Sequence, residues 1–142
     1  AGKILSLILP TEANTSSSNE RFNALWLSPD EWLIYFDNDD KNRVFLDLYN
    51  EISKLNYGAI IDVSNQWVCF NLKGDKIYDL LSAGSPFNFN EFKIKKNKTT
   101  QTLINHIDVT INQKLSNEID LFVRRSFSEH LCSWMNDSAR FI

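Results

Sequence analysis

Between Glu118 and Met135 the hydrophobic period of the chain changes once, and sharply. Ile119, Leu121 and Val123 alternate with Asp120, Phe122 and Arg124, the period-two pattern of a strand with one strongly apolar face. Ser126 and Glu129 then have the Ser-x-x-Glu spacing of a capping box, in which each side chain satisfies a backbone N–H at a helix start. Phe127, His130, Leu131, Trp134 and Met135 follow at helical spacing, which predicts a helix with one apolar, aromatic face. A strand feeding a capped helix that lies back on a sheet is the expected anchor of the core. Each large apolar side chain buried there contributes roughly 1.5–3 kcal/mol.

The rest of the chain patterns as alternating strands and helices. Lys3 to Leu9 reads as a strand, and Thr11 to Asn19 as a polar loop. Ala24 to Phe36 reads as a hairpin turned at Ser28-Pro-Asp-Glu and carrying Trp26 and Trp32. Asp37 to Asp40 suits a helix start, and Phe45, Leu48, Tyr49, Ile52 and Leu55 extend the helix to about Asn56, before Gly58. Ala59 to Val63 is a short apolar run that reads as a buried strand ending near Asp62, Ser64-Asn65 a turn, and Gln66 to Leu72 a second strand that Gly74 ends. Asp75 opens a helix with Ile77, Leu80 and Leu81 on one face and Gly84 as its stop. Ser85 to Asn90 reads as an irregular connection. Thr100 to Ile107 and Val109 to Leu115 complete the strands, with Asp108 between them. This order predicts an α+β fold, a mostly antiparallel sheet with three helices on its outer faces, in a single domain over 1–142.

Composition narrows the function classes. The 142 residues are 43% hydrophobic, 13% aromatic and 23% charged, a foldable chain with aromatic surface to spare for a partner. The net charge of −3 supplies no general drive toward phosphate backbones or anionic lipid, so neither nucleic acid nor membrane is an expected partner. The longest apolar run, Ile4 to Leu9, stops at Pro10, far short of the roughly 20 residues that span a bilayer. It lacks a signal-peptide cleavage pattern. Cys69 and Cys132 lie far apart without a second pair, and read as buried, reduced thiols of a cytoplasmic protein. Lys93, Lys95, Lys96 and Lys98 read as a solvated edge.

Candidate chemistry is sparse. No Gly-x-Ser-x-Gly elbow, Gly-rich phosphate loop or metal-ligand spacing occurs, so neither catalytic residues nor a metal site are expected. His130 falls on the apolar side of the last helix and reads as a partly buried structural histidine. Asp62 and Asp108 are candidate ligand contacts, each balanced against a role in tying down a turn. Arg124 and Arg125, where strand becomes helix, suit a grip on a partner's carboxylate or stand as exposed arginines with nothing to bind, and with Trp32 and Trp67 they form the candidate subunit interface.

Several of these segments carry a resemblance. Ile61-Asp-Val-Ser, with Gly74 and Leu80-Leu81 after it, resembles the Asp-Val-Ser-His segment of the aminomethyltransferases, the folate-binding T-protein family of glycine cleavage. Leu27-Ser-Pro-Asp-Glu-Trp-Leu, the Asp-Val-Ser end, Gly84-Ser-Pro-Phe-Asn-Phe, Gln101-Thr102 and Arg125-Ser-Phe followed by Trp134 more closely resemble the gamma subunit of heterotetrameric sarcosine oxidase. Ser85 and Asn88 depart from that pattern, standing where Cys and Asp are usual. Asn65 stands where the transferases have a His, and the chain lacks their Gly-Gly-x-x-Asp-Asp loop.

The resemblance implies an aminomethyltransferase-like fold and an accessory, non-catalytic subunit of a flavoenzyme that demethylates sarcosine to glycine. Its implied partners are the larger alpha and beta subunits. FAD, FMN, NAD and tetrahydrofolate are implied for those larger chains, zinc for the smallest, and no cofactor for this one. The alternative it leaves open is a stand-alone folate or one-carbon binding module of the same fold.

Overall fold

A computed structural model describes residues 7–37, 41–55 and 58–141. The chain divides into two compact units, Ala1–Val63 and Ser64–Ile142.

The first unit is a three-stranded antiparallel sheet and a helix. Strands β1 (Ser16–Ser18), β2 (Phe22–Ser28) and β3 (Glu31–Phe36) lie in that order, and helix α1 is Lys41–Ser53. The expected hairpin is present, with Trp26 opposite Trp32 and the Ser28 hydroxyl donating to Asp30 Oδ1 at 2.9 Å across the turn. Its other neighbour was not expected. Within the segment read as a polar loop, Ser16 to Ser18 pair with Leu25 to Asn23. Three serines carry no apolar period, and the pairing is made by backbone, with Trp26 N–H donating to the Thr15 carbonyl at 3.0 Å. The Asn19 side chain accepts N–H bonds from Arg21 and Phe22 at 2.9 and 2.8 Å and so turns β1 into β2.

Two expected strands are absent from the described residues of this unit. Leu7 to Leu9 is irregular, and the remainder of that expectation, residues 3–6, lies outside them. Ala59 to Val63 is also irregular, with Ile61 75% exposed, because no described strand pairs with it. The start of α1 near residues 38–40 and its end near 56 likewise fall outside the described residues. Phe22, Val44 and Leu48 are the buried centre, with Leu7, Leu9, Ile34, Phe36 and Ile60 against them and Phe22 meeting Phe36 edge-on at 5.2 Å.

The second unit holds the larger core. Strands β4 (Trp67–Lys73), β5 (Thr99–Ile104), β6 (Ile107–Leu115) and β7 (Glu118–Arg124) form an antiparallel sheet in the order β4-β7-β6-β5. Register stacks Val68, Val123 and Val109 in one row and Phe70, Leu121 and Ile111 in the next. Helices α2 (Ile77–Ser82), α3 (Asn90–Ile94) and α4 (Ser128–Ala139) add Ile77, Leu81, Phe92, Leu131 and Met135 to the same core. The architecture is α+β with antiparallel sheets, as expected, with four helices among the described residues rather than three. The fourth, α3, lies just beyond the connection read as irregular. Phe89 and Phe92 are buried there; both rings meet Phe87 edge to face, and Tyr78 stacks on Phe89 and meets Phe92 edge-on.

Three further expectations are corrected here. The break between β5 and β6 falls at Asn105-His106, not at Asp108, because both residues adopt positive φ (49° and 66°) and close a two-residue hairpin. The capping box does not form. Ser126 lies in the 3-10 turn Arg125–Phe127, α4 begins one turn later without a side-chain cap, and the Ser128 hydroxyl donates to the Arg125 carbonyl at 2.8 Å. That shift turns His130 and Phe127 to the surface and leaves the buried stripe of α4 to Leu131 and Met135. Strand β7, read as apolar on one face only, is buried throughout Ile119–Val123, Asp120 and Phe122 included.

Candidate functional site

The expected interface residues meet at one end of the β4–β7 pair. Trp67 opens β4 and Arg124 closes β7, and the two are direct cross-strand partners. The Arg124 guanidinium carbon stands 5.3 Å from the Trp67 ring centroid, a cation–π contact worth about 0.5–1 kcal/mol at an exposed site. Arg125 begins the 3-10 turn. Its backbone N–H donates to the Gln66 carbonyl at 2.9 Å and its Nε–H to the Asn65 carbonyl at 3.0 Å. The three-residue segment 65–67 therefore seats both arginines, which are exposed beside a half-buried indole.

The other candidates stand elsewhere. Trp32 is on β3, where its indole N–H donates to the Pro10 carbonyl at 2.7 Å, which gives it a structural role in the first unit. Asp62 is exposed on an irregular segment of that unit, its carboxylate 3.0 Å from the Lys41 ammonium. Asp108 is exposed within β6, opposite Leu103.

Sequence reasoning missed a polar lattice across β4, β7 and β6. The Asn71 amide donates to Glu118 at 3.1 Å and to Asp120 at 2.8 Å, while Lys73 and Lys114 each stand 3.7 Å from Glu118 and Asp120 respectively. The register places Asn71 and Asn112 on either side of Asp120, which the alternation within each strand does not reveal. Cys69, two positions before Asn71, was expected to be buried and is exposed, while Cys132 is half-buried. Exposure of the Cys69 residue does not free its thiol. Desolvation by the surrounding strands, and next the charge of Asp120, push it up to about 12 from 9.0, with Lys114 opposing. Among the described residues no three His, Cys, Asp or Glu side chains are grouped to hold a metal ion, and no helix is long and apolar enough to cross a membrane.

The family model for the sarcosine oxidase gamma subunit matches residues 2–140. The chain belongs to this family. Among solved structures it is similar to a chain of the heterotetrameric sarcosine oxidase from Corynebacterium sp. U-96, in complex with pyrrole 2-carboxylate, with a TM-score of 0.86 and 21% identity. The match covers 96% of this chain and 69% of that one, and at this identity it shows the fold. No curated protein sequence matches the chain.

The segments that carried the gamma-subunit resemblance sit at defined places. Pro29-Asp30 makes the β2–β3 turn and Glu31-Trp32 open β3, while Arg125-Ser-Phe is the 3-10 turn that seats Arg125. Gln101-Thr102 lies on β5, where Thr102 Oγ1 is 3.1 Å from the hydroxyl of Ser85, the residue that replaces the usual Cys.

Proposed function

We propose that this chain is a non-catalytic subunit of a heterotetrameric, flavin-dependent sarcosine oxidase, assembling in the cytoplasm with larger alpha and beta subunits. The family match over nearly the whole chain carries this reading. Its role is assembly. The FAD, FMN, NAD and tetrahydrofolate of the oxidative demethylation belong, on this reading, to the larger chains. Support from the residues is that the candidate carboxylate Asp62 is engaged by Lys41, while the exposed aromatic and arginine side chains are of the kinds that anchor protein contacts.

Co-expression with the flavin-bearing subunits, one of them affinity-tagged, tests it. The chain is expected to co-purify in fixed stoichiometry, and His106→Ala and His130→Ala are expected to leave sarcosine-dependent peroxide production by the complex unchanged. A chain that elutes apart from the tagged subunit sinks the proposal.

A further inference from the structure

We infer that the Trp67, Arg124 and Arg125 corner is the anchor for an acidic side chain on the larger partner polypeptide, an inference that rests on the subunit reading above. The chain is acidic as a whole, with 18 Asp and Glu against 15 Lys and Arg, so its guanidinium groups have internal carboxylates to choose from. At this corner they take none among the described residues. Among the described residues neither Arg124 nor Arg125 is ion-paired, and Glu129, four residues beyond Arg125 on α4, reaches neither.

Both side chains are nonetheless held. Arg124 lies on the Trp67 ring, and Arg125 is fixed through its Nε–H by the Asn65 carbonyl, with its own backbone bonded to Gln66. In each case the hold spares the terminal N–H groups of an exposed guanidinium, whose planar fork can take a carboxylate through two parallel hydrogen bonds. Ordering two long side chains is a large part of what a charged contact costs on binding, and here the fold has done most of it beforehand. Tryptophan and arginine are also the residue types that concentrate binding energy at interface centres. An Asp or Glu of the partner fits this corner in charge, in hydrogen-bond direction and in its need for a prearranged seat.

Affinity between the full-length chain and the immobilised larger subunits, measured from 50 to 300 mM salt, tests the inference. The double variant R124E/R125E is expected to bind at least 30-fold more weakly. The charge-keeping R124K/R125K loses about 3- to 10-fold, since lysine lacks the fork. The double variant K93E/K95E, on α3 and just after it, changes the net charge equally and is expected to stay within about twofold. Wild-type affinity should fall with salt, and that dependence should flatten in R124E/R125E.

A double variant that melts like the wild type and binds within about twofold of it overturns the inference while leaving the subunit reading intact. If the double variant does not fold, R124Q and R125Q with the same salt series decide the matter. Arginine-dependent self-association of the isolated chain by sedimentation would assign the corner to a second copy and also overturn it. Failure of the wild-type chain to bind at all removes the subunit reading itself.

Discussion

Cys69 illustrates how a side chain exposed on the surface can still be chemically quiet. Its thiol is pushed up to about 12 by desolvation and then by the carboxylate of Asp120, which the Asn71 amide holds at 2.8 Å. The native state therefore keeps its proton at a pH where the unfolded chain, with a thiol near 9, has lost it. Proton binding favours the native state, so the stability tied to this group is complete below about pH 9 and declines as pH rises toward 12. Urea unfolding of wild type and Cys69→Ser at pH 7.5 and 9.5 checks the sign. Wild type is expected to lose more stability over that interval than the serine variant. Alkylation of Cys69 at pH 8 should also run well below the rate of free cysteine, and equal rates would show that the thiolate is not disfavoured.

At the scale of elements, Gly84 joins three of them. It follows α2, its carbonyl accepts the Asn105 N–H of the β5–β6 turn at 2.9 Å, and a Cβ placed on it would stand 2.6 Å from the Trp134 ring of α4. Gly84→Ala therefore forces the half-buried indole to shift and crowds the Asn105 backbone nitrogen at 3.2 Å, at a cost of about 1–3 kcal/mol. The colliding atoms belong to the far edge of the indole, which phenylalanine lacks, so Trp134→Phe should recover much of that loss in the double variant. Denaturant midpoints of the two single variants and the double one measure the coupling, and simple additivity would contradict the contact.

How far such elements are legible depends on which chemistry writes them. β2, β3, β4, β7 and the apolar positions of α2 and α4 follow from side-chain period, and the period was there to read. Strand β1 consists of serines recruited by backbone pairing, and the Asn105-His106 turn depends on a left-handed conformation that Asn tolerates but the sequence does not announce. The site divides the same way. Arg124 and Arg125 stood out at the change of period, whereas their seats, the carbonyls of Asn65 and Gln66, are backbone atoms without a residue-type signature.

Across the described residues, the two units differ in the apolar clusters they build. The Ser64–Ile142 cluster joins all four strands of its sheet to α2, α3 and α4, with Leu81, Ile104, Ile111, Ile119, Leu121, Val123 and Leu131 fully buried. The cluster of Ala1–Val63 centres on Phe22, Val44 and Leu48, ringed by side chains only partly buried. Local stability follows buried apolar contact, so the opening free energies of the two should differ. Hydrogen exchange on the full chain is expected to show the amides of β6 and β7 exchanging last and those of β1 to β3 at least about tenfold sooner. Indistinguishable protection in both units would mean that they open as one cooperative body. Repeating the measurement on the assembled complex extends the argument, because a partner that seats on the Trp67–Arg124–Arg125 corner should slow exchange first at the start of β4 and the end of β7. Slowing confined to β1–β3 would place the contact on the other unit.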